Sequence, residues 1–368
     1  MPLLTTWQIV LMNAAIFFGQ YLIVAAALNF QYGNAGVPNM SNNLSVACGA
    51  YVTSSIVIKI SMYIVGTAGV AFRPDWVFDN PHNVSLITDF LRTRPLLGLS
   101  LFLFSLALAL VFGVLLGGLI AVMSGKLRAS ILMVFLYVMA STGDVFATNI
   151  SWIAGGTHGA FIPNFLSWYP GENMLVVAVT TLLVGLFCFF IIRTIQNSPF
   201  GRLMRAVREN EWTVGSMGKD VVQIRRDVMM FSSGMMAVTG VLIALYYNYV
   251  QYKFYDQLTY TLWPWLMITI GGMGNNAGSL VGVIVGVGIL KGISTFNMFY
   301  GSIIASTGRA GLFIVFENMV LALLLLLFMV FKPRGLIPEK RLYIPDIDYK
   351  NLVKEGSKSP KDGSEIAS

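Results

Sequence analysis

The sequence predicts an all-α protein that crosses a membrane many times, on three observations. First, 56% of the 368 residues are hydrophobic and only 11% are charged, whereas an average soluble domain has about 25% charged residues. Second, mean hydropathy is +0.72, and the apolar residues come in runs of about 20, enough to cross a hydrocarbon core about 30 Å thick. Third, two polar, glycine-bearing interruptions, 33–43 and 271–278, divide the apolar sequence. These features predict a transmembrane bundle of about eight to ten spans with two broken or re-entrant segments, and they exclude a soluble globular protein.

Eight long apolar runs, bounded by charges or by Gly and Pro clusters, are the predicted spans. They are 7–28, 44–71, 96–123, 129–150, 174–192, 229–250, 279–295 and 312–331. A shorter run, 262–270, is about half a span and leads directly into the second interruption, which is typical of a broken or re-entrant helix.

The positive charges predict which loops face the cytoplasm. Seventeen of the 24 basic residues lie in 126–128, 193–226 and 332–361, and cytoplasmic loops carry the excess of Lys and Arg. The loops 73–95 and 151–173 have mixed charge and many aromatic residues, as expected on the extracytoplasmic side.

This map divides the chain into a transmembrane domain, 1–338, with a cytoplasmic loop at 198–227, and a cytoplasmic tail, 339–368, disordered at its end. No charge precedes Lys59, so the first span carries no such signal. We favour a cytoplasmic N-terminus, with the segment 32–43 re-entering the membrane.

The two interruptions are candidates for a solute path, because lipid cannot satisfy the backbone groups that a broken helix frees. The alternative is that both are aqueous loops or close-packed glycines. The candidate path residues are Asn39, Ser41, Asn42, Asn43, Gly271, Gly272, Gly274, Asn275 and Asn276.

The cytoplasmic stretch 198–218 is predicted to form one amphipathic helix of about fifteen residues. Its apolar positions are Leu203, Ala206, Val207, Val214 and Met217. The candidate contact residues are Gly201, Arg202, Arg205, Arg208, Glu209, Glu211 and Gly218, where the last can end the helix. Two interpretations remain open: a helix lying on anionic lipid, or one that docks onto a cytoplasmic partner.

Several function classes find no support in the sequence. The net charge of +7 is a topology signal in such a chain, so nucleic-acid binding is not predicted. Cys48 and Cys188 are far apart, and His82 and His158 fall in separate loops, so neither a disulfide nor a metal site is expected. No GxxxxGK[ST] phosphate loop occurs, and the spans contain no catalytic constellation. We therefore expect a non-enzymatic chain that binds no cofactor itself.

Ionisable residues inside the apolar runs keep one competing function open. They are Lys59, Asp144, Lys291 and Glu317, and an intramembrane charge is a functional candidate by default. The competing function is a self-contained, ion-coupled secondary transporter that uses Asp144 or Glu317.

Four stretches resemble the permease subunits of branched-chain amino-acid ABC importers, a likeness that extends from about Trp7 to Pro338. They are Gly33-x-Ala35-Gly36 with Gly49-Ala50-Tyr51; the outer loop 149–163 with Gly155-Gly156-Thr157; the loop Ser198-Pro-Phe-Gly201-Arg202 with Arg205, Arg208-Glu209 and Gly218; and Gly271-Gly272-Met273-Gly274-x3-Gly278 with Phe331-Lys-Pro333-Arg334-Gly335. The third is the most specific. Asn39-Met40-Ser41-Asn42 departs from the family, which usually has Ser-Leu-Gly-His there, and this bears on the solute more than on the class.

The resemblance implies one subunit of an importer in a prokaryotic inner membrane. Its expected partners are a sister permease, two cytoplasmic ATP-binding subunits that use ATP and Mg²⁺, an extracytoplasmic solute-binding protein and membrane lipid. The expected solutes are branched-chain or other small amino acids, or related small polar molecules. The loop 198–218 is then the coupling helix through which the ATPases drive alternating access.

Overall fold

A computed structural model of the chain describes residues 6–339, apart from 76, 125–126, 128, 170, 172, 306–318, 321, 325, 329 and 333–334. The predicted tail 339–368 lies outside the described residues except for Glu339, and so does much of the predicted span 312–331 with Glu317.

Helices make up nearly all of the regular structure in the described part of the chain. The α-helices are α1 (Thr6–Leu28), α2 (Asn42–Val52), α3 (Ile58–Thr67), α4 (Asn80–Arg92), α5 (Pro95–Ser124), α6 (Ala129–Asn149), α7 (Ser151–Ala154), α8 (Asn173–Asn197), α9 (Pro199–Glu209), α10 (Glu211–Ser216), α11 (Val221–Tyr247), α12 (Trp263–Gly271) and α13 (Asn276–Ala305). Three π-helical turns, Asn29–Asn34, Thr53–Val57 and Leu258–Leu262, follow α1, join α2 to α3 and precede α12. Two strands, β1 (Ala160–Phe161) and β2 (Tyr249–Val250), pair antiparallel.

Seven of the described helical stretches are long and apolar enough to cross a membrane. They are Trp7–Asn34, Asn42–Thr67, Pro95–Met123, Ser130–Asn149, Asn173–Asn197, Val221–Tyr247 and Asn276–Thr295. They correspond to the first seven predicted spans. The prediction of a polytopic, all-α bundle is therefore confirmed, and the short helix α12 stands where the half-span was expected.

The centre of the bundle is α11, the most deeply buried of these seven stretches. It begins at Asp220, whose carboxylate accepts hydrogen bonds from the N–H groups of Val222 and Gln223 at 2.9 and 3.1 Å. It ends at Asn248, in the left-handed region with φ of 49°. Both are preferred ways to begin and end a helix.

Small residues allow the neighbours of α11 to approach its backbone. A Cβ on Gly240 would overlap the carbonyl oxygen of Val46 in α2, and one on Gly49 would overlap that of Ala237. On α5, a Cβ at Gly117 would lie 2.6 Å from the Met229 carbonyl oxygen. Close backbone packing of this kind replaces the hydrophobic effect as the force between helices in lipid.

The sequence predicted that the N-terminus and the loop 198–227 lie on the same side of the membrane, and this prediction is wrong. The Tyr246 hydroxyl, at the end of α11, donates to Asn13 Oδ1 in α1 at 2.6 Å. The loop 198–227 leads into the opposite end of α11. The first turns of α1 and this loop therefore lie at opposite ends of the bundle, so α1 crosses it completely before 32–43. The positive-inside rule depends on Lys and Arg near the ends of a span, and the first span has none, so the rule could not orient it.

Candidate functional site

The first interruption becomes a non-helical segment, residues 36–41, which we call the first break. Asn39 is held firmly within it. Its Nδ2 donates to Gln31 Oε1 at 3.2 Å, and its Oδ1 accepts from the N–H and hydroxyl of Ser41, each at 2.7 Å. Its carbonyl accepts from the Trp265 indole at 3.1 Å. Asn39 and Ser41 are therefore fully engaged in shaping the break.

The helix α2 begins directly after the first break, and its first turn has several unpaired polar groups. Asn42 is fully buried, and neither Nδ2 nor Oδ1 has a hydrogen-bond partner in the described part of the structure. Asn43 uses Oδ1 to accept from the Thr261 hydroxyl at 3.3 Å, but its Nδ2 has no partner there. The Ser45 hydroxyl is also buried and unpaired. Because such groups cost free energy unless they are hydrogen-bonded, this turn is the most unusual part of the site.

The second interruption is a tight turn between α12 and α13, residues 272–275, which we call the second break. Gly272 and Gly274 have φ of 119° and 79°, which glycine adopts at little cost. Asn275 Oδ1 accepts from the Ala277 N–H at 3.0 Å, and its Nδ2 donates to the carbonyls of Ile337 and Pro338 at 3.4 and 3.3 Å. Unlike the first turn of α2, the second break has its side-chain amide satisfied.

The residues on either side of the second break make it compact. Gly271 is buried, and a Cβ on it would overlap the carbonyl oxygen of Gly278 in α13. Asn276 begins α13 and accepts from the Ser279 hydroxyl through its carbonyl at 2.8 Å.

Asn29 connects the π-helical turn that precedes the first break to the second break, although the sequence did not mark it as a site residue. It is fully buried in the π-helical turn after α1. Its Oδ1 accepts from the Gly274 N–H at 2.8 Å, and its Nδ2 donates to the Asn275 carbonyl at 3.3 Å. The signal that could have identified it is the pair of amides, Asn29 and Gln31, at the end of an otherwise apolar run.

The loop 198–227 contains two helices before α11, so the prediction of one continuous amphipathic helix is wrong. Asn210, with φ of −157° and ψ of 103°, separates α9 from α10. Its side chain accepts hydrogen bonds from the N–H groups of Trp212 and Thr213 at 3.0 and 3.2 Å. Asn is a strong N-cap, and it begins a new helix here.

The buried face of these helices also differs from the predicted one. Val207 and Val214 are buried as expected, but Met204 is buried as well, whereas Ala206 and Met217 are exposed.

The coupling-loop candidates divide into inward and outward groups. Gly201 is buried, and a Cβ on it would overlap the carbonyl oxygen of Gln196 at the end of α8. Glu211 pairs with Arg225 of α11 at 2.6 Å. These contacts lie within the chain, so they position α9 and α10.

The outward group is largely exposed. Arg202 is exposed and Arg205 half-buried, while the Glu209 side chain is 73% exposed. Gly218 ends α10 with φ of 77° and has open space around it. Trp212 is 85% exposed and Met217 76%.

Arg208 connects this loop to the π-helical turn that precedes the first break. Its Nη1 donates to the Gly33 carbonyl in the π-helical turn, while its Nη2 pairs with Glu209 at 3.0 Å. A Cβ at Gly36, which has φ of 69°, would lie 3.0 Å from the Arg208 Cγ. Hydrogen bonds therefore link Arg208 to the π-helical turn, and they link that turn, through Asn29, to the second break.

Comparison with known proteins identifies the family. The profile of the family described as "Branched-chain amino acid transport system / permease component" matches residues 10–331. The chain belongs to this family. It is 31% identical over 349 residues to the "Probable branched-chain amino acid transport permease protein LivM" of Methanocaldococcus jannaschii, covering 93% of this chain and 97% of that protein.

More distant relatives cover only part of each chain. The "High-affinity branched-chain amino acid transport system permease protein LivM" of Escherichia coli is 22% identical over 194 residues, 53% of this permease and 41% of that protein. The protein of the same description from Salmonella typhimurium is 21% identical over 172 residues, 47% and 36% of the two chains. No solved structure matches.

Family membership does not favour the ion-coupled alternative. In the described part of this permease, Asp144 is half-buried near the end of α6, and Glu317 lies outside the described residues. The Lys59 and Lys291 ammonium groups lie 4.0 and 3.0 Å from the ring centroids of Trp152 and Phe17, a favourable arrangement for a cation. The described residues contain no group of three metal-ligating side chains.

Proposed function

We propose that this permease is the membrane-spanning subunit of an ATP-binding-cassette importer that moves branched-chain amino acids, or related small polar solutes, inward. Its proposed partners are a sister permease, two ATP-binding subunits that hydrolyse ATP with Mg²⁺, and a solute-binding protein on the other face. The membrane is a prokaryotic inner membrane. The loop with α9 and α10 and the C-terminus face the cytoplasm, and the chain begins on the outer side.

The observation that carries this proposal is the route from the loop surface to both breaks. Arg208 of α9 donates to Gly33, in the same π-helical turn as Asn29, and Asn29 makes two hydrogen bonds to the second break. A displacement of α9 therefore acts on the first break directly and on the second through one side chain. This arrangement suits a transporter in which force arrives from a cytoplasmic partner.

The exposed part of α9 and α10 has the composition of a docking surface. A large aromatic, a methionine and charged residues are exposed together at Trp212, Met217, Arg202 and Glu209, and aromatics, Met and Arg are enriched where proteins bind each other. The proposed movement starts here: closure of two ATP-binding subunits shifts α9 and α10, and the breaks rearrange to open the path on alternate sides.

Transport by the reconstituted complex tests the proposal. The complex is purified through a tag on this chain and placed in proteoliposomes. We expect uptake of radiolabelled leucine only when ATP and Mg²⁺ are present on the side of α9 and α10 and the solute-binding protein is on the other. Uptake driven by a proton or sodium gradient without ATP would overturn the proposal in favour of the Asp144 alternative.

A further inference from the structure

The first turn of α2 has an unusual set of unused hydrogen-bonding groups. Three are donors: Asn42 Nδ2, Asn43 Nδ2 and the Ser45 hydroxyl. One is an acceptor only, Asn42 Oδ1. All three residues are at least 99% buried. Asn42 and Ser45 are three positions apart, so they lie on the same face of the helix, one turn apart.

Several groups next to this set are already paired. The N–H groups of Leu44 and Ser45 donate to the Ser41 carbonyl at 3.1 and 3.3 Å, and the Asn43 N–H donates to the Thr261 hydroxyl at 3.3 Å. The side chains of the neighbouring Asn39 and Ser41 are bonded to each other. The turn directly after the first break therefore has four unused side-chain atoms on three neighbouring residues, and Gln31 Nε2 and the Tyr51 hydroxyl are further buried unpaired groups outside it.

We propose that this turn, Asn42 to Ser45, is a binding subsite for the head group of a zwitterionic α-amino acid. The inference rests on the proposed function and adds the chemistry by which the permease recognises its solute. Asn42 Nδ2 and the Ser45 hydroxyl, on one face of the helix, suit a carboxylate, and the acceptor oxygen of Asn42 suits an ammonium group. The N-terminus of α2 adds a partial positive charge, which also favours the carboxylate.

The side chains of the subsite are all neutral. None of its side chains is ionisable, so the donors and the acceptor match a head group with one positive and one negative charge. A buried site for an anion alone or a cation alone would need a counter-charge. Asn42, Asn43 and Ser45 include none. The subsite therefore discriminates against solutes that lack either charge of the zwitterion.

The test measures binding on the purified complex with no solute-binding protein present. The probes are L-leucine, leucinamide, which lacks the carboxylate, and 4-methylpentanoate, which lacks the ammonium group. Thermal unfolding is followed at rising probe concentration. A ligand at ten times its Kd shifts the unfolding equilibrium about tenfold. We expect this shift with leucine and none with the two analogues.

Two substitutions of Asn42 separate recognition from packing. Asn42→Asp is nearly isosteric but replaces the donor with a negative charge, and Asn42→Ala removes both unused atoms. We expect both to abolish the shift with leucine, while Asn149→Asp and Asn149→Ala, at the exposed end of α6, retain it. If Asn42→Asp fails to fold, Asn42→Ala still decides, because it removes unpaired buried atoms without adding a charge.

The outcomes separate this inference from the proposed function. An undiminished leucine shift in Asn42→Ala, or an equal shift with leucinamide, would overturn the subsite. So would a rise in stability in Asn42→Ala together with no leucine shift in the unmodified complex, since the unused atoms would then be mere hydration sites. ATP-driven uptake in the unmodified complex tests the proposed function alone. If the unmodified complex shows the leucine shift but no ATP-driven uptake, the result counts against the proposed function and does not affect the subsite.

Discussion

The two breaks differ in how their polar groups are satisfied. In the second break, Asn275 is bonded through both side-chain atoms, and the carbonyls of Ile270 and Gly271 at the end of α12 accept from the N–H groups of Leu336 and Ile337 at 2.8 and 2.9 Å. The first break is equally well bonded at Asn39, but it leads into the unpaired turn at Asn42. One break is bonded within its own chain, and the other leads to buried groups that have no hydrogen-bond partner in the described structure.

This difference indicates different roles for the two breaks. Groups satisfied within the chain hold a shape, and the segment 335–338 caps carbonyls that a short helix leaves unpaired. Buried groups without partners carry a free-energy cost, of the order of 1–3 kcal/mol for each group, that a ligand or water can relieve. We infer that the second break is a hinge and that the first leads to the solute. The predictions below alter one break, the other, or their connection.

The largest effect is expected from Gly33→Ala, which separates the two breaks. A Cβ on Gly33 would overlap Asn29 Oδ1 and lie 2.6 Å from the Gly274 nitrogen. Both positions belong to the hydrogen bond that joins the breaks, so the substitution displaces them, and overpacking costs about 1–3 kcal/mol. We expect ATP-driven uptake to be abolished. Gly288→Ala, which meets open space, is the matched control, and equal uptake by the two variants would contradict the connection.

A smaller effect is expected from Asn29→Ala, which removes the joining side chain without adding bulk. The N–H of Gly274 loses its partner Asn29 Oδ1, and the cost of about 1–3 kcal/mol for an unsatisfied buried group corresponds to roughly 5- to 150-fold in an equilibrium. We expect uptake to fall by about that factor while ATP hydrolysis continues, so that more ATP is consumed for each leucine transported. Asn29→Asp keeps the acceptor for Gly274 and loses the donor to Asn275. Its uptake should lie between that of the unmodified complex and that of Asn29→Ala.

The ratio of ATP hydrolysed to leucine transported is the decisive readout for this pair. A residue that only stabilised the fold would lower both activities together and leave the ratio unchanged. Asn149→Ala controls for loss of an amide elsewhere in the bundle.

The sequence predicted the fold better than the site, and particular residues show why. Span length and apolar runs are local properties, so seven predicted spans recur with shifted ends. The two breaks were also visible, because glycines and asparagines interrupt apolar runs. The role of Asn29 was not visible, since its partners Gly274 and Asn275 lie about 245 positions away. The prediction of one helix across Asn210 is wrong because the periodic apolar pattern continues across that residue, although an Asn followed by a helix is a recognisable cap.

A still smaller effect is expected from Arg208→Ala, which weakens the link between the loop and the first break. The guanidinium is only partly buried, with 24% of its side chain exposed, so water replaces part of what is lost. We expect a several-fold fall in uptake, with the ATPase subunits still co-purifying, because the exposed surface of α9 and α10 is unchanged. Arg202→Ala alters that exposed surface instead. If Arg208→Ala reduced co-purification and Arg202→Ala did not, Arg208 would be a docking residue and the proposed route would be wrong.

The smallest effect is expected in the labelling of single cysteines, which compares the two breaks directly. Cys48 and Cys188 are first replaced, and cysteine is then introduced at Asn42 or at Asn275. A small hydrophilic thiol reagent should label position 42 at a rate that depends on the nucleotide state of the ATPases, because a solute path must become wet in one state. Position 275 should be labelled at a rate that changes less, because hydrogen bonds to Ile337 and Pro338 hold that turn closed by its own chain.

Asn39→Cys extends the comparison within the first break, where the bonded side chain predicts behaviour like that of position 275. If positions 42 and 275 respond equally to nucleotide, the breaks move as one unit and their separate roles fail. If position 42 resists the reagent in every state, the path does not pass the first turn of α2.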